Sequence, residues 1–156
     1  MSNGTDASGA QPAPGQIYVA LTRARKQLDE AVAQEPGNAE PAWLRRLQTA
    51  ARSLFEVLEQ HQHLAEEEGG TLSEATGQKP GLMAESKRLK GEHTDMLHRA
   101  NEIDEEVERQ FAFQEFGIEL LRRKAAVLRD ILQLHLLRAD SLMYEAYFRL
   151  EGGEGG

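Results

Sequence analysis

Residues 121–150 read LRRKAAVLRDILQLHLLRADSLMYEAYFRL and contain neither Gly nor Pro. Leu, Arg and Ala dominate the stretch, and all three are strong helix formers. Leu121, Ala125, Leu128, Leu132, His135, Ala139, Leu142, Met143 and Ala146 recur at helical spacing and form one apolar stripe. His135 sits near the middle of that stripe. An imidazole there must find a polar partner, because an unpaired buried polar group is costly.

The remaining chain supplies elements to cover that stripe. Residues 16–34 predict a short helix with Tyr18, Leu21, Leu28 and Val32 on its apolar side, ended by EPGNAEP at 35–41. A second helix is expected over 41–68, with Pro41 in its first turn. Its stripe is Leu44, Leu47, Ala51, Leu54, Leu58, His61 and Ala65. The glycines and proline of GGTLSEATGQKPG, 69–81, predict a loop. A third helix follows from 82 to near 112, with Leu82, Leu89, His93, Met96, Ala100, Ile103 and Val107 facing inward. The turn into the fourth helix is marked only by Phe111, Phe113, Phe116 and Gly117. Residues 1–15 predict a disordered tail and 151–156 a flexible one. No strand signal and no internal repeat is evident. The expectation is an all-α fold, an antiparallel four-helix bundle over 16–150 with a short first helix.

Charge and composition exclude several functions. With 156 residues the chain is about one domain. Its formal net charge of −8 opposes a nucleic-acid partner, which needs a basic face, and opposes an anionic membrane surface. With no cysteine, disulfides, zinc–thiolate sites and iron–sulfur clusters are excluded. No apolar signal core or run of about 18 apolar residues occurs. A soluble cytoplasmic protein is the expectation. No nucleophile, phosphate loop or Ser-His-Asp pattern suggests an enzyme.

Five histidines occur, at 61, 63, 93, 98 and 135. At about 100° per residue, His93 and His135 fall near the centres of their stripes and His61 at the edge of its own. His63 and His98 point roughly the opposite way. His93 and His135 are symmetric about residue 114, in the expected turn. His61 and His93 are symmetric about residue 77, past the centre of the 69–81 loop, which suggests an offset of about one helical turn, ~5 Å. Imidazole plus carboxylate inside a helical bundle is the usual construction of a non-haem iron or manganese centre. Candidate carboxylates are Glu66, Glu67, Glu68, Asp104, Asp140 and Glu145; His63/Glu67 are spaced i,i+4, and Asp140 stands five residues after His135. Each also has a plain reading, a core imidazole bonded to a neighbour or a solvated acid.

Several segments together resemble the hemerythrin-like (HHE cation-binding) family. His61-Gln-His-Leu-Ala-Glu-Glu-Glu-Gly-Gly70 looks like its second-helix His-x-x-x-Glu motif, and Glu92-His93 like its third-helix pair. His135-Leu-Leu-Arg-Ala-Asp140 matches its fourth-helix spacing, and LMYEAY at 142–147 is similar to the ends of some bacterial members. The resemblance implies a bundle holding two carboxylate-bridged irons, with O2 binding, sensing or storage, or protection from oxidants. The ligands would come from His61 or His63, His93, His135, Glu66 or Glu67, and Asp140. Residues 16–34 carry no histidine, where the family usually places one, and His93 and His98 are spaced i,i+5 rather than i,i+4. A mononuclear site, a rearranged site and a metal-free bundle serving as a scaffold or interaction module therefore stand beside the di-iron reading.

Overall fold

The computed structural model describes residues 13–148. It contains α1 (Pro14–Ala33), α2 (Glu40–Glu66), a short α3 (Thr71–Gln78), a 3-10 turn at Pro80–Leu82, α4 (Met83–Phe113) and α5 (Ile118–Tyr147). No strand occurs among the described residues. The expected tails fall largely outside this range. Helix begins already at Pro14, because proline suits a first turn and the Gln16 side chain accepts a bond from the Ala13 amide at 2.9 Å.

The four long helices form an all-α bundle, and polar contacts at their rims fix its antiparallel register. Between α2 and α4, Arg45 meets Glu108 and Arg52 meets Asp104. Between α4 and α5, Lys124 meets Glu102 and Arg138 meets Glu92. Between α5 and α1, Arg122 meets Glu35 and Arg129 meets Asp29. In every pair one number rises as the other falls. Fully buried Trp43 joins α2 to α1, its indole N–H shared between the carbonyls of Ala31 and Gln34 at 2.9 and 3.0 Å. That satisfies carbonyls which the end of α1 would otherwise leave unpaired.

The weakly marked turn into α5 proves well built. Gln114 takes a left-handed φ of 53° and ends α4. Buried Gln110 then clasps the far side, its Oε1 accepting from the Gly117 amide at 2.9 Å. The segment 69–81 differs from the expected loop, since it holds α3 and the 3-10 turn. Its glycines and short length hid the helix. Leu72 and Ala75, three apart, are buried with Ala65, Leu89, Leu142 and Ala146, so tertiary burial outweighs the weak local preference. Gly70 makes the entry possible. A Cβ there would stand 2.4 Å from the Leu64 carbonyl oxygen and 2.9 Å from those of Ala65 and Glu67.

Two glycine substitutions should therefore act in opposite directions. Gly70→Ala forces backbone apart and is expected to destabilise the bundle by about 1–3 kcal/mol. Exposed Gly91 lies inside α4 with nothing within 4 Å of its would-be Cβ, so Gly91→Ala should stabilise by about 0.5–1 kcal/mol. Denaturant unfolding of the two variants against wild type measures both.

Candidate metal centre

Three of the long helices each send one histidine into a single layer of the core. His61 comes from α2, His93 from α4 and His135 from α5. Their ring centroids lie 4.9 Å apart for His61–His93, 4.7 Å for His93–His135 and 5.5 Å for His61–His135. One nitrogen from each ring falls within 4.8 Å of the other two. His93 and His135 are 2% and 0% exposed, and His61 is half-buried, in keeping with its place at the edge of its stripe. The expected offset of His61 is absent. Arg52 and Asp104 are symmetric about residue 78, so α2 and α4 pair about nearly the same point as His61 and His93. The helix folded into 69–81 moves the effective turn past the loop's centre.

Each of the two deeply buried rings is held by a carboxylate from a neighbouring helix. His93 Nδ1 lies 2.8 Å from Glu66 Oε2, and His135 Nδ1 lies 3.0 Å from Glu92 Oε1. A carboxylate oxygen accepts, so Nδ1 carries the proton in both rings and Nε2 keeps its lone pair. The remaining contact joins His61 Nε2 to His135 Nε2 at 3.3 Å. With a lone pair on His135, His61 is the donor there. Arg138 in turn grips the second oxygen of Glu92, and Arg88 lies 4.0 Å from it.

Electrostatics keep all three imidazoles neutral. Desolvation, followed by the field of the other two rings, pushes the pKa of His61 down to about 3. His93 is likewise lowered to about 3, by desolvation and by His135. Burial also lowers His135, although its bond to Glu92 pulls upward. Neutral rings are what a metal ion requires of histidine.

The other expected ligands lie elsewhere. Glu66 is present, but its carboxylate meets Nδ1 of His93 rather than the nitrogens that face one another. His63 and Glu67 pair on the outer face at 3.2 Å. Exposed Asp140 lines a cavity of about 170 Å³ that reaches His61 between α1 and α5, walled by Ile17, Leu21, Leu64, Leu136 and Met143. His98 is exposed. Helical phase alone marks neither Glu92 nor Arg138 as a site residue. Glu92 precedes an inward histidine by one position and so reads as surface. The Glu92-His93 resemblance names the residue, and its symmetry with His135 about the α4–α5 turn points to its partner.

Comparison with protein-family models, with curated proteins and with solved structures finds no match to this chain.

The neutral triad fixes the sign of the pH dependence. Because the folded-state pKa values lie below 6.5, the unfolded chain binds more protons than the folded one between about pH 6.5 and 3. Stability is whole above pH 6.5 and is lost as pH falls through that window. The expected slope is on the order of 1.4 kcal/mol per pH unit for each imidazole still neutral. Urea melts in chelator at successive pH values measure it, and equal stability at pH 7 and pH 5 would contradict a buried neutral triad.

Proposed function

We propose that this protein binds one divalent transition-metal ion through His61, His93 and His135. The observation that carries the reading is the pair of Nε2 atoms 3.3 Å apart, on rings from two different helices, with the third ring against both. Two nitrogens each ~2.0–2.1 Å from an ion in tetrahedral arrangement stand about 3.4 Å apart, so the spacing fits. Glu66 and Glu92 hold the Nδ1 protons of His93 and His135, which orients their rings and raises their basicity as donors. His61 would move its proton from Nε2 to Nδ1.

Neutral imidazoles without thiolate suit iron and zinc alike. A bound ion would supply Lewis acidity, and three protein donors leave positions for water or a small ligand. Engagement of Glu66 and Glu92 by Nδ1 atoms favours one ion over the carboxylate-bridged iron pair that a hemerythrin-like resemblance implies. A role in O2 or oxidant sensing, or in iron storage, would belong to the iron-loaded form. A second reading, a metal-free scaffold, draws on the same contact. An N–H···N bond between neutral His61 and His135 satisfies both Nε2 atoms, and polar networks of this kind can fix a bundle's register.

Thermal melts decide between the two. An ion that ties α2, α4 and α5 together stabilises by about 2.7 kcal/mol at a hundredfold excess over Kd. Wild type should therefore melt higher with ferrous iron or zinc than with chelator. His135→Ala should lose the rise and His98→Ala should keep it. Glu92→Gln should weaken metal affinity roughly 10–100-fold. If wild type melts at one temperature in all conditions, the scaffold reading stands.

A further inference from the structure

The side of α5 turned away from the core is unusually apolar for an acidic chain. Leu120, Val127, Leu134, Leu137, Tyr144 and Phe148 are all between 44% and 70% exposed. They are not scattered. Positions 120, 127, 134, 141 and 148 are seven apart, and only Ser141 interrupts the series. Leu137 and Tyr144 lie in the adjoining row, whose N-terminal positions are Arg123 and Asp130. This is the repeat by which one helix lies along another. The buried stripe of Leu121, Leu128, Leu132 and His135 occupies the other side, so α5 is apolar on two faces and the bundle uses one. Contiguous exposed apolar surface of this kind marks an interaction site.

We propose that this face of α5 packs against the same face of a second copy of the chain, antiparallel about a two-fold axis at Leu134. Charge along the helix selects that occupant and that direction. Residues 118–133 carry Arg122, Arg123, Lys124 and Arg129 against Glu119 and Asp130, whereas residues 134–148 carry Asp140 and Glu145 against Arg138. An antiparallel copy sets the basic half on the acidic half. A parallel copy sets Arg123 against the partner's Arg123 and repels. With the axis at Leu134, that residue meets the partner's Leu134, Val127 meets the partner's Ser141, and Leu120 meets the partner's Phe148. On the flanks Lys124, which also holds Glu102 of its own chain, comes beside the partner's Glu145, and Arg123 comes over the partner's Tyr144. The stripe is ~42 Å long and about one helix, ~10 Å, wide. That covers about 420 Å2, roughly half of the ~800 Å2 per side of a standard specific interface.

The chain has no cysteine, so single introduced thiols report the arrangement without background. Sedimentation and light scattering of the full chain should give a dimer at tens of micromolar. Leu134→Glu should weaken it roughly tenfold or more while leaving circular dichroism helical, because half-exposed Leu134 contributes little to the monomer's own core. Under oxidation Leu134→Cys should form a covalent dimer with itself. Val127→Cys should link only when mixed with Ser141→Cys. A monomer at 100 µM, taken as roughly the upper working concentration, or a Leu134→Glu dimer as tight as wild type, overturns the proposal. Self-linking of Val127→Cys as readily as Leu134→Cys overturns the antiparallel arrangement.

Discussion

Three imidazoles in one layer of a helical core can coexist only if they stay neutral and each finds a partner. Charging one would place a cation beside two other rings with little water to solvate it. The structure meets the condition from outside the layer. Glu66 and Glu92 take the Nδ1 protons of His93 and His135, and His61 bonds to the nitrogen that remains on His135. Every one of these bonds crosses between helices. The layer therefore fixes the axial registers of α2, α4 and α5 together, a task that interchangeable Leu–Leu contacts perform less sharply.

The links between helices follow from that requirement. His93 and His135 share a level because the α4–α5 turn is clamped by Gln110 and the left-handed Gln114. His61 joins them because α3 takes up slack in 69–81 and shifts the α2–α4 register toward the C-terminal end of that segment. Gly70, pressed against three carbonyl oxygens, lets the chain leave α2 and re-enter helix within a few residues. The rest of the core, from Leu28 and Trp43 to Leu128, is ordinary aliphatic packing and would tolerate many registers.

Much of this is legible in the sequence, for physical reasons that differ by element. The period of 3.6 residues places His93 and His135 inward and His63 and His98 outward without further information. The bundle follows from long amphipathic segments and short links. α3 was hidden because its eight residues, Thr71–Gln78, carry a glycine and only two buried side chains, so its helicity depends on contacts with distant residues. Helical phase alone hides Glu92 for a related reason. Phase assigns a residue to a face of its own helix, but whether a carboxylate at the edge of that face reaches a neighbour's imidazole depends on the interhelical register. Glu66 was found, though its position as a partner of Nδ1 could not be read from spacing alone.

The placement of the two acids also bears on what an ion held there could do. A carboxylate bound directly to a metal reduces the ion's charge and its pull on other ligands. Here both acids stand one hydrogen bond farther out, so their negative charge offsets that of a divalent ion while the donors touching it remain neutral. Arg138 and Arg88 draw Glu92 partly toward themselves, whereas among the described residues no Arg or Lys pairs with Glu66. The two imidazoles are thus unequal donors, with His93 facing the less compensated acid.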